Sequence, residues 1–280
     1  MTAGHVWRVP TAGRALGRAA TLVAAALWAL PVVILLLGSL RERGAPPPAT
    51  FEVVPAGASL DAYAAVVDLL PVATYLRNSL LVVAVAVPVT VVVASLAGLG
   101  IRLLRPRLQR LALLAIIVVL LVPASAVWVP RARVFGFLGL GDSLGALMVT
   151  SLVATSPFFV IIYWWAFHRI DDEVFDAAAV DGAGPLRTWW AVALPNAGAA
   201  SMAVGVLAFA AHWGNFMDPL LYVGDPGRAT LPLGLSLLQA LNPTDFPLLL
   251  AGATASAIPP VLLFLLAQRR FLDPQQWTAT

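Results

Sequence analysis

The acids of this 280-residue chain are clustered. Of fourteen Asp and Glu residues, five fall in the thirteen-residue segment Asp171-Asp172-Glu173-Val174-Phe175-Asp176-Ala177-Ala178-Ala179-Val180-Asp181-Gly182-Ala183. Long apolar runs flank it, and only 11% of the chain is charged, against ~25% in an ordinary soluble domain. Carboxylates so placed could pair with a partner's Arg and Lys through charge-assisted hydrogen bonds; the plainer alternative is a solvated loop with an incidental helix. The rest of the sequence offers no catalytic or metal chemistry. His5, His168 and His212 are too scattered for a metal motif, and there is no Cys for a thiolate nucleophile, disulfide or Cys-ligated metal. All seventeen basic residues are Arg, so no P-loop lysine or Schiff base is available. No nucleophile–base–acid set is visible. The chain is therefore expected to have no catalytic, cofactor or metal site of its own, and the acidic segment to be a docking surface for a soluble partner.

The local sequence shapes that surface. Ala177-Ala178-Ala179 has the highest helix propensity available, which predicts a short helix over Asp176–Asp181. The acids before it suit a helix N-terminus. Gly182 suits the left-handed residue that ends a helix, and Pro185 the first turn of the next. A second short helix over Leu186, Trp189, Trp190 and Val192 is expected to stop before Pro195. Small Ala side chains let another protein approach closely, and Asp176 and Asp181 offer it carboxylates.

The elements that must position this segment are membrane helices. Hydrophobic residues make up 60% of the chain, against roughly 45–50% in soluble domains. Six apolar runs reach the ~20 residues needed to cross a bilayer: Arg18–Leu40, Ser79–Ile101, Leu111–Val129, Leu144–Phe167, Ala199–Leu221 and Leu248–Gln268. The fold class is an all-α polytopic membrane protein. The first run is read as a retained anchor, because Leu40-Arg41-Glu42-Arg43 lacks a small-residue cleavage pattern. With the N-terminus inside, eleven Arg fall on cytoplasmic segments and six on outer ones, as the positive-inside rule requires. Arg102, Arg105, Arg107 and Arg110 share one short loop without an acid. Both termini and the acidic segment then face the cytoplasm. The outer segment after Arg41 is rich in Pro (Pro46, Pro47, Pro48, Pro55), with a short helix over Leu60–Leu70. The loop Pro130–Ser143 is apolar enough to lie along the outer interface. Tyr163, Trp164 and Trp165 read as an interfacial aromatic belt, and Pro157, Pro259 and Pro260 as kinks in spans four and six.

Polar groups within spans are costly and often functional. His212 and Asn215, near the outer end of span five, and Ser201 below them are candidates for a translocation path. Asp218, before Pro219, reads as a turn residue.

Asp176-Ala177-Ala178-Ala179-Val180-Asp181-Gly182-Ala183, followed by Leu194-Pro195, resembles the Glu-Ala-Ala…Asp-Gly-Ala…Leu-Pro loop of permease subunits in binding-protein-dependent ABC importers. Asp176 stands where that pattern has Glu, Asp171 where a Pro follows Ile, and Ala199 where a second Pro occurs. Trp213-Gly214-Asn215-Phe216-Met217-Asp218-Pro219-Leu220 and Leu231-Pro232-Leu233-Gly234-Leu235 resemble stretches of the sugar-importer branch, with Asn215 displaced by one position. Arg77-Asn78-Ser79-Leu80 is similar to the opening of the core membrane domain. The resemblance covers roughly Leu76 to Phe271 and is nearest to the second permease of maltose- and glycerol-phosphate-type systems.

The resemblance implies the type I importer fold. It implies a cytoplasmic tail over 1–17, a first span over 18–40, an extracytoplasmic segment over 41–75, a core permease domain over 76–271 and a tail over 272–280. Within the core, residues 169–198 would form the coupling loop, with Asp176, Ala177, Ala178, Asp181, Gly182, Ala183 and Pro195 docking an ATPase. The implied partners are a second related permease, two ATPase subunits carrying ATP and Mg, an extracytoplasmic binding protein, membrane lipid and a carbohydrate substrate. Nucleic acid is not among them. An ion-gradient-driven transporter or a non-transporting scaffold are the other readings the sequence leaves open.

Overall fold

The computed structural model describes residues 11–47, 57–153 and 156–271. Arg8, Pro48, Pro55 and the tail over 272–280 lie outside the described residues. The described elements are helical: α1 (Thr11–Ser39), α2 (Asp61–Leu69), α3 (Val72–Arg102), α4 (Pro106–Leu120), α5 (Ala124–Phe137), α6 (Leu144–Val153), α7 (Pro157–His168), α8 (Asp172–Val180), α9 (Pro185–Thr188), a π-helical turn (Trp189–Ala193), α10 (Leu194–Asn196), α11 (Gly198–Trp213), α12 (Met217–Tyr222), α13 (Leu231–Leu241) and α14 (Phe246–Phe271).

Four apolar stretches are each long enough to cross a membrane: Gly17–Ser39, Val72–Arg102, Leu144–His168 and Phe246–Gln268. Counting each of two bent pairs as one passage gives up to six: α4 with α5, bent by 91°, and Pro185–Asn196 with α11, bent by 87°. The count matches the sequence expectation, but two passages differ from it. The third was expected to run straight over Leu111–Val129. It breaks after Leu120 because Pro123 has no N–H to continue the ladder and pushes the residue before it out of the helical region. The expected loop over Pro130–Ser143 is instead helical as far as Phe137. The fifth passage stops at Trp213 rather than Leu221, with Gly214 (φ −79°, ψ 0°) as its C-cap. Helix α13 falls in a segment where no element was expected. Pro157 opens α7 at its first turn instead of kinking a helix.

The chain divides into two compact units. In the first, which comprises residues up to Leu69 together with Leu238–Ala255, Gly38 of α1 lies where any Cβ would meet Leu250 Cδ1 at 2.4 Å. Ser39 Oγ and the Tyr63 hydroxyl are hydrogen-bonded at 2.7 Å, and Arg43 pairs with Asp245 at 3.1 Å. Helix α2 realises the short helix expected over Leu60–Leu70.

The second unit, Leu70–Leu237 with the chain from Ser256 on, is organised by α3. Its 31 residues span about 46 Å at 1.5 Å per residue. Helices α6, α7 and α11 pack against it. Small residues permit the approach: Ala86, Ala94 and Gly98 face inward, and a Cβ on Gly98 would lie 2.9 Å from the Trp164 backbone nitrogen. Tyr163 and Phe167 are fully buried in this core, so Tyr163 is a packing residue rather than part of the expected aromatic belt, whereas Trp165 is 57% exposed. Close approach through small residues is how membrane helices gain packing energy, since lipid supplies no hydrophobic drive between them.

Candidate functional site

The two ends of α3 carry different chemistry. At its C-terminal end stands the acidic segment. Helix α8 begins at Asp172, earlier than the expected Asp176, because the acids at Asp172 and Glu173 occupy its first turn where the helix dipole favours them. It ends in a Schellman motif: Ala183 N–H donates to Ala178 O (2.9 Å), Gly182 N–H to Ala179 O (3.0 Å), and Gly182 takes φ +73°. Gly184 then caps α9, with Pro185 at its first position. The second helix does not stop before Pro195. It widens into the π turn, where Leu194 N–H reaches back to Trp189 O, and so carries Pro195 into α10. A π turn absorbs the strain a proline would otherwise impose on the ladder.

The structure sorts the expected docking residues. Asp176, Ala177, Asp181, Gly182 and Pro195 are exposed, Ala183 is half-buried, and Ala178 is buried against the subunit itself. Val180 and Leu186 are 87% and 67% exposed on the same segment, and Trp190 is also exposed. Beneath them, Trp189 Nε1 donates to Ser95 Oγ of α3 at 3.0 Å, a buried bond that fixes the second helix to the core. The result is a two-helix handle with small and acidic groups and the large apolar Val180, Leu186 and Trp190 outward, and Phe175, Ala178, Thr188 and Trp189 inward.

One residue that holds the handle carried no signal in the sequence. Arg102, the last residue of α3, donates from Nε to Phe167 O (2.8 Å) and from Nη2 to Ile170 O (3.1 Å) and Asp172 Oδ1 (2.6 Å). Its guanidinium also lies 3.9 Å from the centre of the Phe175 ring. Asp172 is thus an anchor of the handle, not merely its lead-in.

The candidate path residues do not form one cluster. His212 Nε2 and Thr90 Oγ1 are hydrogen-bonded at 3.0 Å, which sets His212 at mid-length of α3 rather than near its end. Ser201 lines a cleft of about 390 Å³ with Val91, Trp190, Leu194, Pro195 and Gly198, next to the handle. Asn215 belongs to the opposite end. Its Nδ2 donates to Asp218 Oδ2 (2.8 Å), and its Oδ1 accepts from Asp218 N–H (3.2 Å). Asp218 is 6% exposed and accepts from Arg131 Nη2 at 2.5 Å, while Arg131 Nε donates to the Tyr222 hydroxyl at 2.5 Å. Asp218 is therefore a buried ion-pair partner rather than a plain turn residue. The pair joins α5 to α12.

That end is tied down further. Asn78 Nδ2 donates to Gly227 O (3.1 Å) and Ala229 O (3.0 Å), and Ser79 Oγ accepts from Leu231 N–H (2.8 Å). The Asn-Ser pair at the start of α3 thereby holds the Leu-Pro-x-Gly-Leu segment, and Gly234 leaves room for the Tyr75 ring, whose Cδ2 would lie 2.2 Å from a Cβ. Asp142, at φ +54°, accepts from Gly224 N–H (2.9 Å) and Asp225 N–H (2.8 Å). The amide of Asp225, with help from Gly224 and Arg228, holds the Asp142 carboxyl below its ordinary pKa despite some desolvation. Among the described residues no group of three or more His, Asp or Glu could hold a metal ion.

Comparison with known proteins gives a consistent picture. The family model for the binding-protein-dependent transport system inner membrane component matches residues 86–274. The lactose transport system permease protein LacG of Rhizobium radiobacter is 26% identical over 196 residues, 70% of this chain and 71% of that one. The sn-glycerol-3-phosphate transport system permease protein UgpE of Yersinia pestis bv. Antiqua is 29% identical over 205 residues, 72% of each chain. A chain in the crystal structure of a bacterial ABC transporter involved in the import of alginate superimposes with a TM-score of 0.75 at 18% identity, over 94% of this chain and 99% of that one.

Proposed function

The chain belongs to that family of inner-membrane transport components, as a permease subunit of an ABC importer, and on this premise we propose that it moves a sugar or related carbohydrate by alternating access. Support for the substrate class comes from relatives whose names specify lactose and starch degradation products. The handle over residues 169–198 would dock a separate ATPase subunit, which holds the ATP and Mg. This chain binds neither and catalyses nothing itself. Two such ATPase subunits, a second related permease and an extracytoplasmic binding protein complete the unit. Both termini and the handle lie in the cytoplasm, as the Arg distribution favours, and the core permease domain runs over 76–271. Asp176, Ala177, Asp181, Gly182 and Pro195 form the docking face with Ala183 at its edge, while Ala178 sets the depth of the handle from below. His212 and Ser201 line the path. Asn215 acts indirectly, by holding Asp218.

The observation that carries this reading is the exposed Schellman turn at Gly182, flanked by Asp176 and Asp181 and backed by the Trp189–Ser95 bond. ATP binding would close the ATPase dimer and pull the handle, and α3 and α7, to which the handle is bonded, would follow. The test is uptake into vesicles reconstituted with the purified complex and its binding protein. ATP-dependent accumulation of a sugar that disappears when the ATPase subunit is omitted is expected. Accumulation driven by an ion gradient without that subunit would refute it.

A further inference from the structure

We infer that Arg102 is the positioning residue that transmits the movement of the handle to the core of the subunit; this rests on the docking role proposed above for α8. Three helices converge on one side chain. Arg102 belongs to α3, the helix on which α6, α7 and α11 pack. Its Nε–H meets Phe167 O in the last turn of α7, and one Nη2–H meets Ile170 O in the link between α7 and α8. The last carbonyls of a helix have no partner within it, and a cation there is also favoured by the dipole. The second Nη2–H meets Asp172 in the first turn of α8, and the flat face of the guanidinium covers Phe175 one turn further on. The side chain is 9% exposed, although Asp172 is 88% exposed. The ion pair alone is thus half in water and weak. The strength lies in the buried half, where a planar fork satisfies two carbonyls and stacks on a ring at once.

The arrangement has a direction. The outward face of α8 is free for a partner, while its inward face holds to α3 through Arg102 and, from the second helix, through Trp189 on Ser95. A pull on α8 passes through Arg102 to α3 and α7 together. Gln109 Nε2 donates to the carbonyls of Ile101 and Arg102 (3.3 Å each), so the backbone that carries the fork is itself held by the first turn of α4. Lys could not replace Arg here: an ammonium is a point donor and cannot span these acceptors in one plane.

The experiment compares sugar transported per ATP hydrolysed in vesicles holding the whole complex. Arg102→Ala is expected to co-purify with its ATPase subunits at the normal yield while the ratio falls about tenfold or more, the scale of losing buried charged hydrogen bonds. Arg102→Lys is expected to fall about threefold, since charge survives but the fork does not; it is the deciding variant if Arg102→Ala does not accumulate in the membrane. A merely structural role would lower the amount of complex and leave the ratio unchanged, and an unchanged ratio in the variant that accumulates overturns the inference. Asp176→Lys separates this from the docking reading. If it releases the ATPase subunits while the Arg102 variants keep a normal ratio, only the inference about Arg102 fails. If Asp176→Lys keeps them bound at full strength, the docking reading fails.

Discussion

Replacing Gly182 by Val probes the handle at the point where geometry permits an estimate. A Cβ at this position would meet nothing within 4 Å, so no clash contributes to the cost. The cost is conformational. At φ +73° an L side chain is disfavoured by about 1–2 kcal/mol, and β-branching places Val at the upper end. The chain can avoid that cost only by unwinding the turn and giving up the bonds from Gly182 to Ala179 and from Ala183 to Ala178, each contributing about 1 kcal/mol. Both routes cost about 1–2 kcal/mol, which is a factor of roughly 5–30 in the population of the intact turn. Helix α8 has nine residues and little stability of its own, so the loss should appear directly in coupling. In reconstituted vesicles, transport at saturating substrate should fall in the order Gly, Asn, Ala, Val, with Asn close to Gly because it tolerates the left-handed region. Val at the level of Gly would refute the reasoning. So would Asn as damaging as Val, since that would mean side-chain volume matters and φ does not.

Asp218→Ala should lower the thermal unfolding midpoint of the detergent-solubilised complex by far more than Arg131→Met with Asp218→Leu together. The single change leaves a buried cation unpaired, at about 3–5 kcal/mol, whereas an apolar pair of similar volume removes both charges. At the Asp142 turn the folded pKa lies below the unfolded one, so the carboxylate contributes stability above the unfolded pKa and loses it as pH falls through the folded value. The protection factors of the Gly224 and Asp225 amides, taken against the intrinsic exchange rate at each pH, should therefore hold at neutral pH and fall as Asp142 is protonated on acidification. Asp142→Ala should show the lower protection at every pH.

Much of this was legible because the governing chemistry was local. The Gly182 turn, the start at Pro185 and the short helix α2 depend on neighbours a few residues away, and the apolar runs report burial in lipid without reference to any partner. Long-range contacts were not legible. Arg102 lies 70 positions before Asp172, and Arg131 lies 87 before Asp218. In sequence the first looked like one of four Arg on a loop, and the second like an outer-loop cation. Two of the proline errors were of opposite sign. Pro123 broke a passage that hydropathy alone made continuous. Pro195 failed to break a helix because a π turn absorbed it, and the identity of Trp189 gives no sign of such a turn.

The central claim is that the outward face of α8 is held by an ATPase subunit on the cytoplasmic side. The sequence contains no Cys, so Ala177→Cys places a single thiol in this chain, at an exposed site of the handle. The decisive measurement is its labelling by a membrane-impermeant maleimide in vesicles of known orientation, with and without the ATPase subunits. Labelling from the cytoplasmic face alone, blocked when those subunits are bound and replaced by a cross-link to them under a short bifunctional reagent, is the predicted result. Labelling from the opposite face, or equal labelling with the ATPase subunits bound, would contradict it.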